Sequence, residues 1–302
     1  MQSLTVALDW TPNTNHTGFF VAKALGYYVE AGMVVSLSTP ADDNYVITPA
    51  KKVELGQADF ALCPVESLIS YQTKTRPFPL VAVAALLQED ISAIVTLERS
   101  GLDTPATLDG KVYASYKARY EDKIVQQMVK KDGGTGEIII NYPEKLGIWN
   151  TLLEGQADAT WIFLNWEGVL AESEGVKLNR FVLGDYDIPY GYSPVLAANA
   201  NLVEKKADIY RKFLAATKRG YLYAMENPAE VAKILKPWVP ATDQRIDLLK
   251  SQIVTNAHYG TEATWGTMAP ERVQTFLDWL HQHGLETAPL SVQDLVNDSL
   301  LS

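Results

Sequence analysis

From Leu4 to Gly32 the chain reads LTVALDWTPNTNHTGFFVAKALGYYVEAG, an apolar run, a polar run and a second apolar run of different period. Leu4 to Trp10 carries apolar residues on both sides of the two-residue alternation, the pattern of a short, mostly buried strand. Thr11 to His16 consists of residues that favour turns and hydrogen-bond their own backbone. Phe19, Phe20, Ala22, Ala24 and Leu25 then supply an apolar helix face, entered near Thr17 and punctuated by Gly26. Such a unit places its turn beyond the carboxyl end of a strand, where open α/β sheets bind ligands and helix N–H groups converge. Trp10, Asn13 and His16 fall on that rim, and we expect them to form one wall of a binding cleft.

The rest of the chain repeats this alternation. Strands are expected at Met33–Leu37, Ala58–Leu62 and Leu80–Leu87, the last a continuous apolar run that suits a central strand buried on both faces. Helices are expected at Tyr45–Val53 and Pro64–Thr73, and Ile91–Leu97 as a connection into a second lobe. That lobe would open with Leu108–Tyr113, a turn into a strand, and hold strands at Ile138–Asn141 and Ala159–Phe163, and helices at Tyr120–Lys131, Ile148–Leu153 and Trp166–Ser173. Phe181–Leu183 and Pro194–Ala198 read as strands flanking a return loop, and helices follow at Lys206–Asn227, after Pro228, and at Pro270–His283. Leu55-Gly56-Gln57-Ala58-Asp59 recurs as Glu154-Gly155-Gln156-Ala157-Asp158, each between a helix and a strand. Either a capping turn recurred by coincidence or two lobes of similar topology each carry this unit; the spacing favours the second. Asp132 to Gly136 is glycine-rich but precedes a strand, the wrong order for a phosphate cradle.

At 302 residues there is room for two lobes with sizeable cores, since single cores stop growing near about 250–300 residues. With 26 Lys and Arg against 36 Asp and Glu the formal charge is −10, which argues against nucleic acid or an anionic membrane surface as partner. No apolar run approaches the roughly 20 residues that span a bilayer. Cys63 is the one cysteine, so an internal disulfide and a cysteine-rich metal site are excluded, which fits the cytosol or the bacterial periplasm. Met1-Gln2-Ser3 leads at once into the first strand with no signal peptide visible. We expect a periplasmic protein whose signal was removed, with a cytoplasmic location as the alternative.

The Leu8–Asn13 turn, His16, the aromatic helix and its Gly26-Tyr27-Tyr28…Glu30-Ala31-Gly32 ending resemble the binding proteins for thiamine pyrimidine precursors, the ThiY-type periplasmic solute-binding proteins. They equally resemble the fungal thiamine pyrimidine synthases, which share that fold. The match is strongest over residues 4–62. Discontinuous lobes with a helical tail are what a type II periplasmic-binding-protein fold looks like: an α/β chain with lobe 1 at 1–95 and 190–302, lobe 2 at 105–185, and hinge crossings near 96–104 and 186–189. Hinge closure around a ligand is the usual motion of that architecture.

Aromatic residues gather at predicted loop ends of both lobes: Trp10, then Tyr113, Tyr116 and Tyr120, then Trp161 and Trp166, then Tyr186, Tyr190 and Tyr192. Taken singly each suits a core or an interface; as a set they could sandwich a flat heteroaromatic ring. The resemblance implies an acid after the later strand of lobe 2 that meets the amino edge of an aminopyrimidine, and Glu167 occupies that place. Its alternative role is a helix first-turn acid favoured by the macrodipole; Glu121 is a weaker case of the same kind. The expected ligand-binding set is therefore Trp10, Asn13, His16, Tyr116, Tyr120, Glu167, Tyr190 and Tyr192. In the synthases a lysine for pyridoxal phosphate and a ring-donating histidine fall where this chain has Cys63 and Ser67, and a cysteine cluster falls near Tyr190–Pro194. Cys63 has no base near it in sequence, and His281 and His283 are two apart on a helix, so neither a nucleophile nor a metal site is expected. The expectation is a monomeric solute-binding protein, without cofactor or metal, that delivers a small heteroaromatic ligand to a membrane ABC permease. The alternative is a pyridoxal-phosphate-dependent pyrimidine synthase.

Overall fold

The computed structural model describes residues 1–144 and 149–301, and among these ten strands divide between two five-stranded sheets. In chain order β1 (Gln2–Ala7), β2 (Met33–Ser38), β3 (Phe60–Cys63) and β4 (Leu80–Ala85) enter the first sheet. The second takes β5 (Ser92–Leu97), β6 (Val112–Ala114), β7 (Ile139–Asn141), β8 (Ala159–Phe163) and β9 (Leu178–Phe181), and β10 (Val195–Asn199) returns to the first. The orders are β2-β1-β3-β10-β4 and β7-β6-β8-β5-β9. In each sheet the first three strands are parallel, and an antiparallel strand contributed from the other half of the chain follows, β10 beside β3 and β5 beside β8.

The repeated pentapeptide is the same structural unit in both sheets. Gly56 and Gly155 close their helices at φ +70° and +71°, a conformation that favours glycine. Asp59 and Asp158 then each donate their backbone N–H to a carbonyl of the first parallel strand, Thr5 and Val112, at 2.9 and 2.8 Å. Their side-chain carboxylates accept the N–H of that same residue, at 3.0 and 2.9 Å. The motif therefore sets the register of β3 on β1 and of β8 on β6.

Several elements differ from expectation for local reasons. Ile91–Leu97 is not a connection: Ser92–Leu97 is a buried strand paired with β8 on one side and β9 on the other. The chain thus changes sheet between Ala85 and Ser92, ahead of residues 96–104, and again between Phe181 and Val195. The helix expected from Tyr45 begins at Pro49, where Thr48 accepts the Lys51 N–H as its cap, and Tyr45 itself is held at φ +62°. Trp166–Ser173 is split into a π-helical turn at Leu164–Gly168 and an α-helix at Val169–Ser173. The strand expected at Phe181–Leu183 ends at Phe181. Of the helix expected at Ile148–Leu153, Ile148 lies outside the described residues and the helix runs Asn150–Leu153. A helix at Leu248–Asn256, with no counterpart among the expected elements, reaches the back of the cleft.

The site-bearing first turn is fixed by a close helix crossing. The Thr17–Ala24 helix packs on Ala207–Glu226 through Gly18 and Gly220, and a Cβ at Gly220 would lie 2.0 Å from the Gly18 carbonyl oxygen. Next to it, the Tyr221 hydroxyl donates to the Asn15 carbonyl at 2.7 Å. Gly220→Ala is expected to destabilise the protein by about 1–3 kcal/mol, because the added methyl meets backbone rather than a movable side chain. Urea unfolding measures this, and an unchanged midpoint would mean that the crossing separates without cost. Among the described residues no helix is long and apolar enough to cross a membrane.

Candidate functional site

The first wall leaves the end of β1. Asn13 caps the turn: its side chain accepts from the Asn15 N–H at 2.8 Å, and its own N–H donates to His16 Nδ1 at 3.3 Å. Because Nδ1 accepts, the ring proton sits on Nε2 and is donated to Asp9 Oδ1 at 2.7 Å. Both Asn13 and His16 are buried. They hold Asp9 and Trp10 at the cleft rather than facing it themselves.

The second wall is the Ser115–Tyr120 loop after β6. Glu121 gathers it, accepting from the Tyr113 hydroxyl at 2.7 Å, the Tyr116 N–H at 2.9 Å and the Ala118 N–H at 3.1 Å. Burial raises the Glu121 carboxyl, an effect those donors oppose. Lys117, at φ +64°, turns the chain so that Tyr116 and Ala118 both reach the cavity.

β8 and its π turn make the third wall, with Trp161, Ile162, Phe163 and Glu167. The extra residue of a π turn re-aims the side chains beyond it. Here Asn165 is fully buried, donating to Asn15 Oδ1 and Thr255 Oγ1 at 2.8 Å each, while Glu167 faces the cavity and accepts the Phe163 N–H at 3.1 Å. Burial above all, with the charge of Asp243 adding to it, pushes the Glu167 carboxyl up to about 7 against hydrogen bonds that lower it. Pro64 and Glu66, at the start of the Val65–Thr73 helix, and Tyr190 and Ser193 on the return segment complete the enclosure.

These walls bound a cavity of about 220 Å³ between the two sheets. Of the rings that line it, Trp10 and Tyr116 touch edge-on, 5.6 Å between centroids at 83°, and Trp161 and Tyr190 lie 5.1 Å apart at 57°. Four carboxyl groups line it, from Asp9, Glu66, Glu121 and Glu167, and its described lining holds no Lys, Arg or His. Trp10, Tyr116 and Glu167 also border a second space of about 710 Å³ that includes Tyr45, Asp243 and Arg245.

Of the eight expected residues, Trp10, Tyr116, Glu167 and Tyr190 line the inner cavity and Asn13 and His16 stand behind Asp9. Tyr120 is turned away, its hydroxyl donating to Glu286 Oε2 at 2.6 Å. Tyr192 is buried, accepts the Ala269 N–H at 2.9 Å and lies under the Arg272 guanidinium at 4.3 Å. Asp9, Glu66 and Ser193 were not expected. The signal for Glu66 was present, since it too lies beyond a parallel strand's carboxyl end, but the apolar Cys63-Pro64-Val65 context reads as core. Cys63 itself is buried, and burial, with the charges of Asp9 and Glu66, holds its thiol far above the usual range. His281 and His283 are engaged with the Ala288 carbonyl and the Trp279 ring, and among the described residues no group of three His, Cys, Asp or Glu could hold a metal.

Residues 13–231 match the family described as NMT1/THI5 like. The chain belongs to that family. A formylaminopyrimidine-binding protein of Halalkalibacterium halodurans is 24% identical over 97% of this chain and 89% of its own length. A 4-amino-5-hydroxymethyl-2-methylpyrimidine phosphate synthase of Legionella pneumophila is also 24% identical, over 77% of this chain and 72% of its own. Relatives of this chain thus carry names of both binding proteins and synthases. In fold, the ligand-binding component of an ABC-type import system from Staphylococcus aureus superposes with a TM-score of 0.73 at 17% identity, covering 99% of this chain and 98% of that one. The architecture is the two-sheet α/β fold of periplasmic binding proteins, as the sequence led us to expect.

Proposed function

We propose that this protein is a solute-binding protein that captures a small flat aminopyrimidine of the formylaminopyrimidine type and hands it to a membrane ABC permease. The observation that carries this is the cavity itself: aromatic rings and carboxyl groups from both sheets line one space. Flat rings gain about 0.5–1.5 kcal/mol per aromatic contact beyond area burial. Glu167 accepts from the ligand's amino group and pairs with the adjacent ring nitrogen when that nitrogen is protonated, a charge-assisted two-point contact. Binding energy is spent on holding the two halves together around the ligand. We place the protein in the periplasm as a monomer.

Pyridoxal phosphate does not fit this cavity. The group needs an amine to hold its aldehyde carbon, and the described lining has no lysine; for its phosphate the described lining has no arginine either, and the helix start that borders the cavity brings the acid Glu66 with it. Cys63 and Ser67 occupy the places where the synthases were expected to differ. Thermal unfolding against formylaminopyrimidine, thiamine, riboflavin and pyridoxal phosphate tests the reading. A ligand at about 100 times its dissociation constant adds about 2.7 kcal/mol, so a clear rise in Tm with formylaminopyrimidine is expected and none with pyridoxal phosphate. A new absorbance band on adding pyridoxal phosphate would restore the enzyme reading.

A further inference from the structure

We propose that Glu66 is a second recognition carboxyl, facing Glu167 from the opposite sheet, and that the ligand therefore carries two nitrogen-bearing edges, one for each acid. This rests on the binding reading above and narrows its ligand class.

The two acids are counterparts in the repeated architecture. β3 and β8 are the third strands of their sheets, each introduced by the Gly-Gln-Ala-Asp turn, each parallel to one neighbour and antiparallel to the other. Glu66 lies seven residues after Asp59 and Glu167 nine after Asp158. β8 is one residue longer than β3, and a π turn, which takes one more residue than an α turn, lies between β8 and Glu167. Both acids sit where the strand gives way to helix, and both line the cavity.

Glu66 also has an unmet requirement. It is 4% exposed, and among the described residues its Oε2 has no hydrogen-bond partner. The side chain meets the Tyr190 hydroxyl, and the charge that acts on it is the like-charged Glu121. A buried polar atom left unpaired costs about 1–3 kcal/mol, and native structures rarely keep one without a reason. Burial first, then Glu121, drives the carboxyl up to about 8. An N–H or ammonium group entering the cavity supplies the missing partner. Since the described lining offers four carboxyls and no cation, a donor-rich or cationic ring is favoured over a phosphate ester.

Calorimetric titration of the wild type, Glu66→Gln and Glu167→Gln tests this with three probes. 4-Amino-2-methylpyrimidine offers one edge; 4-amino-5-aminomethyl-2-methylpyrimidine and its N-formyl derivative offer two. Glu66→Gln is expected to weaken both two-edged probes at least tenfold and the one-edged probe less than twofold, whereas Glu167→Gln weakens all three. The urea midpoint of Glu66→Gln should not fall, because a strained buried acid is removed, and this separates recognition from folding. Equal losses on all probes, or none, overturn the assignment of Glu66 while leaving the binding function standing. If the wild type binds none of the three, the binding reading fails and takes this inference with it.

Discussion

Glu167→Gln is expected to weaken aminopyrimidine binding by about ten- to a hundredfold, the 1.5–3 kcal/mol attributed to a hydrogen bond to a charged group, while making the empty protein more stable at pH 8. Both effects have one cause. Glu167 is buried, and desolvation lifts its carboxyl to about 7, with Glu66 at about 8 and Asp90 at about 6 raised for the same leading reason. In the unfolded chain these acids titrate near about 4. Each is therefore raised in the folded state, which holds more protons than the unfolded state between those limits. By linkage, stability falls as pH rises from about 4.5 to 8. An amide in place of Glu167 has no charge to desolvate, so part of that slope disappears. Urea unfolding without ligand at pH 5.5 and pH 8, alongside calorimetry at pH 8, measures both halves. A wild-type stability that is flat over this range, or a variant with the same slope, would show that the acid is not held in a dry site. Ligand in excess should flatten the wild-type slope, because its donor groups stabilise the ionised form.

The sequence was most legible where one periodicity gives way to another. The change at Trp10 to Thr17 marks the turn and the helix at the right places, although the strand expected at Leu4–Trp10 runs Gln2–Ala7, and the Gly-Gln-Ala-Asp repeat marks the register-setting unit of both sheets. Which sheet a strand joins is not local information. Ser92–Leu97 is an apolar, β-branched run like its neighbours, and only its pairing with β8 and β9 assigns it to the second sheet. The site was legible to the extent that strand ends face the cleft, which found Trp10, Tyr116, Glu167 and Tyr190. A rule about position says nothing of direction, however. Asn13 and His16 turn inward because the unpaired N–H groups of the first turn need acceptors, and Asp9 inherits the exposed position. Tyr120 and Tyr192 share the same loops as the lining residues but find partners across the interface. Glu66 was missed because a buried acid in an apolar context has no sequence signature apart from its place in the repeat.

Glu286→Ala is expected to cost about 3 kcal/mol at pH 7 and to weaken the ligand as well, although Glu286 does not line the cavity. This carboxylate lies after the Pro270–Gln282 helix on the first-sheet side and is almost fully buried. It accepts from the Thr287 and Ala288 N–H groups at 2.8 and 2.9 Å and from Thr73, on the helix that carries Glu66, at 3.0 Å. From the second-sheet side it receives Arg119 at 2.9 Å and the Tyr120 hydroxyl at 2.6 Å, and Arg119 also donates to Thr73. Arg119 and Tyr120 end the very loop that presents Tyr116 and Ala118 to the ligand. Cutting this clasp frees that wall, and if only a tenth of molecules then hold the binding geometry, apparent affinity drops about tenfold with no ligand contact touched. Burial alone would raise the Glu286 carboxyl, but the hydrogen bonds from Tyr120, Ala288, Thr287 and Thr73 together bring it down to about 2. A depressed folded value means that its contribution is complete above about 4.5 and is lost as pH falls from there toward 2. Wild type should therefore loosen in that window, whereas Glu286→Gln, with no carboxylate to protonate, should start weaker and lose less. Acid titrations of both proteins monitored by tryptophan fluorescence, with ligand affinities at pH 7, decide it. Identical acid midpoints together with unchanged affinity would reduce the contact to a surface ion pair of the usual small worth, about 0–1 kcal/mol.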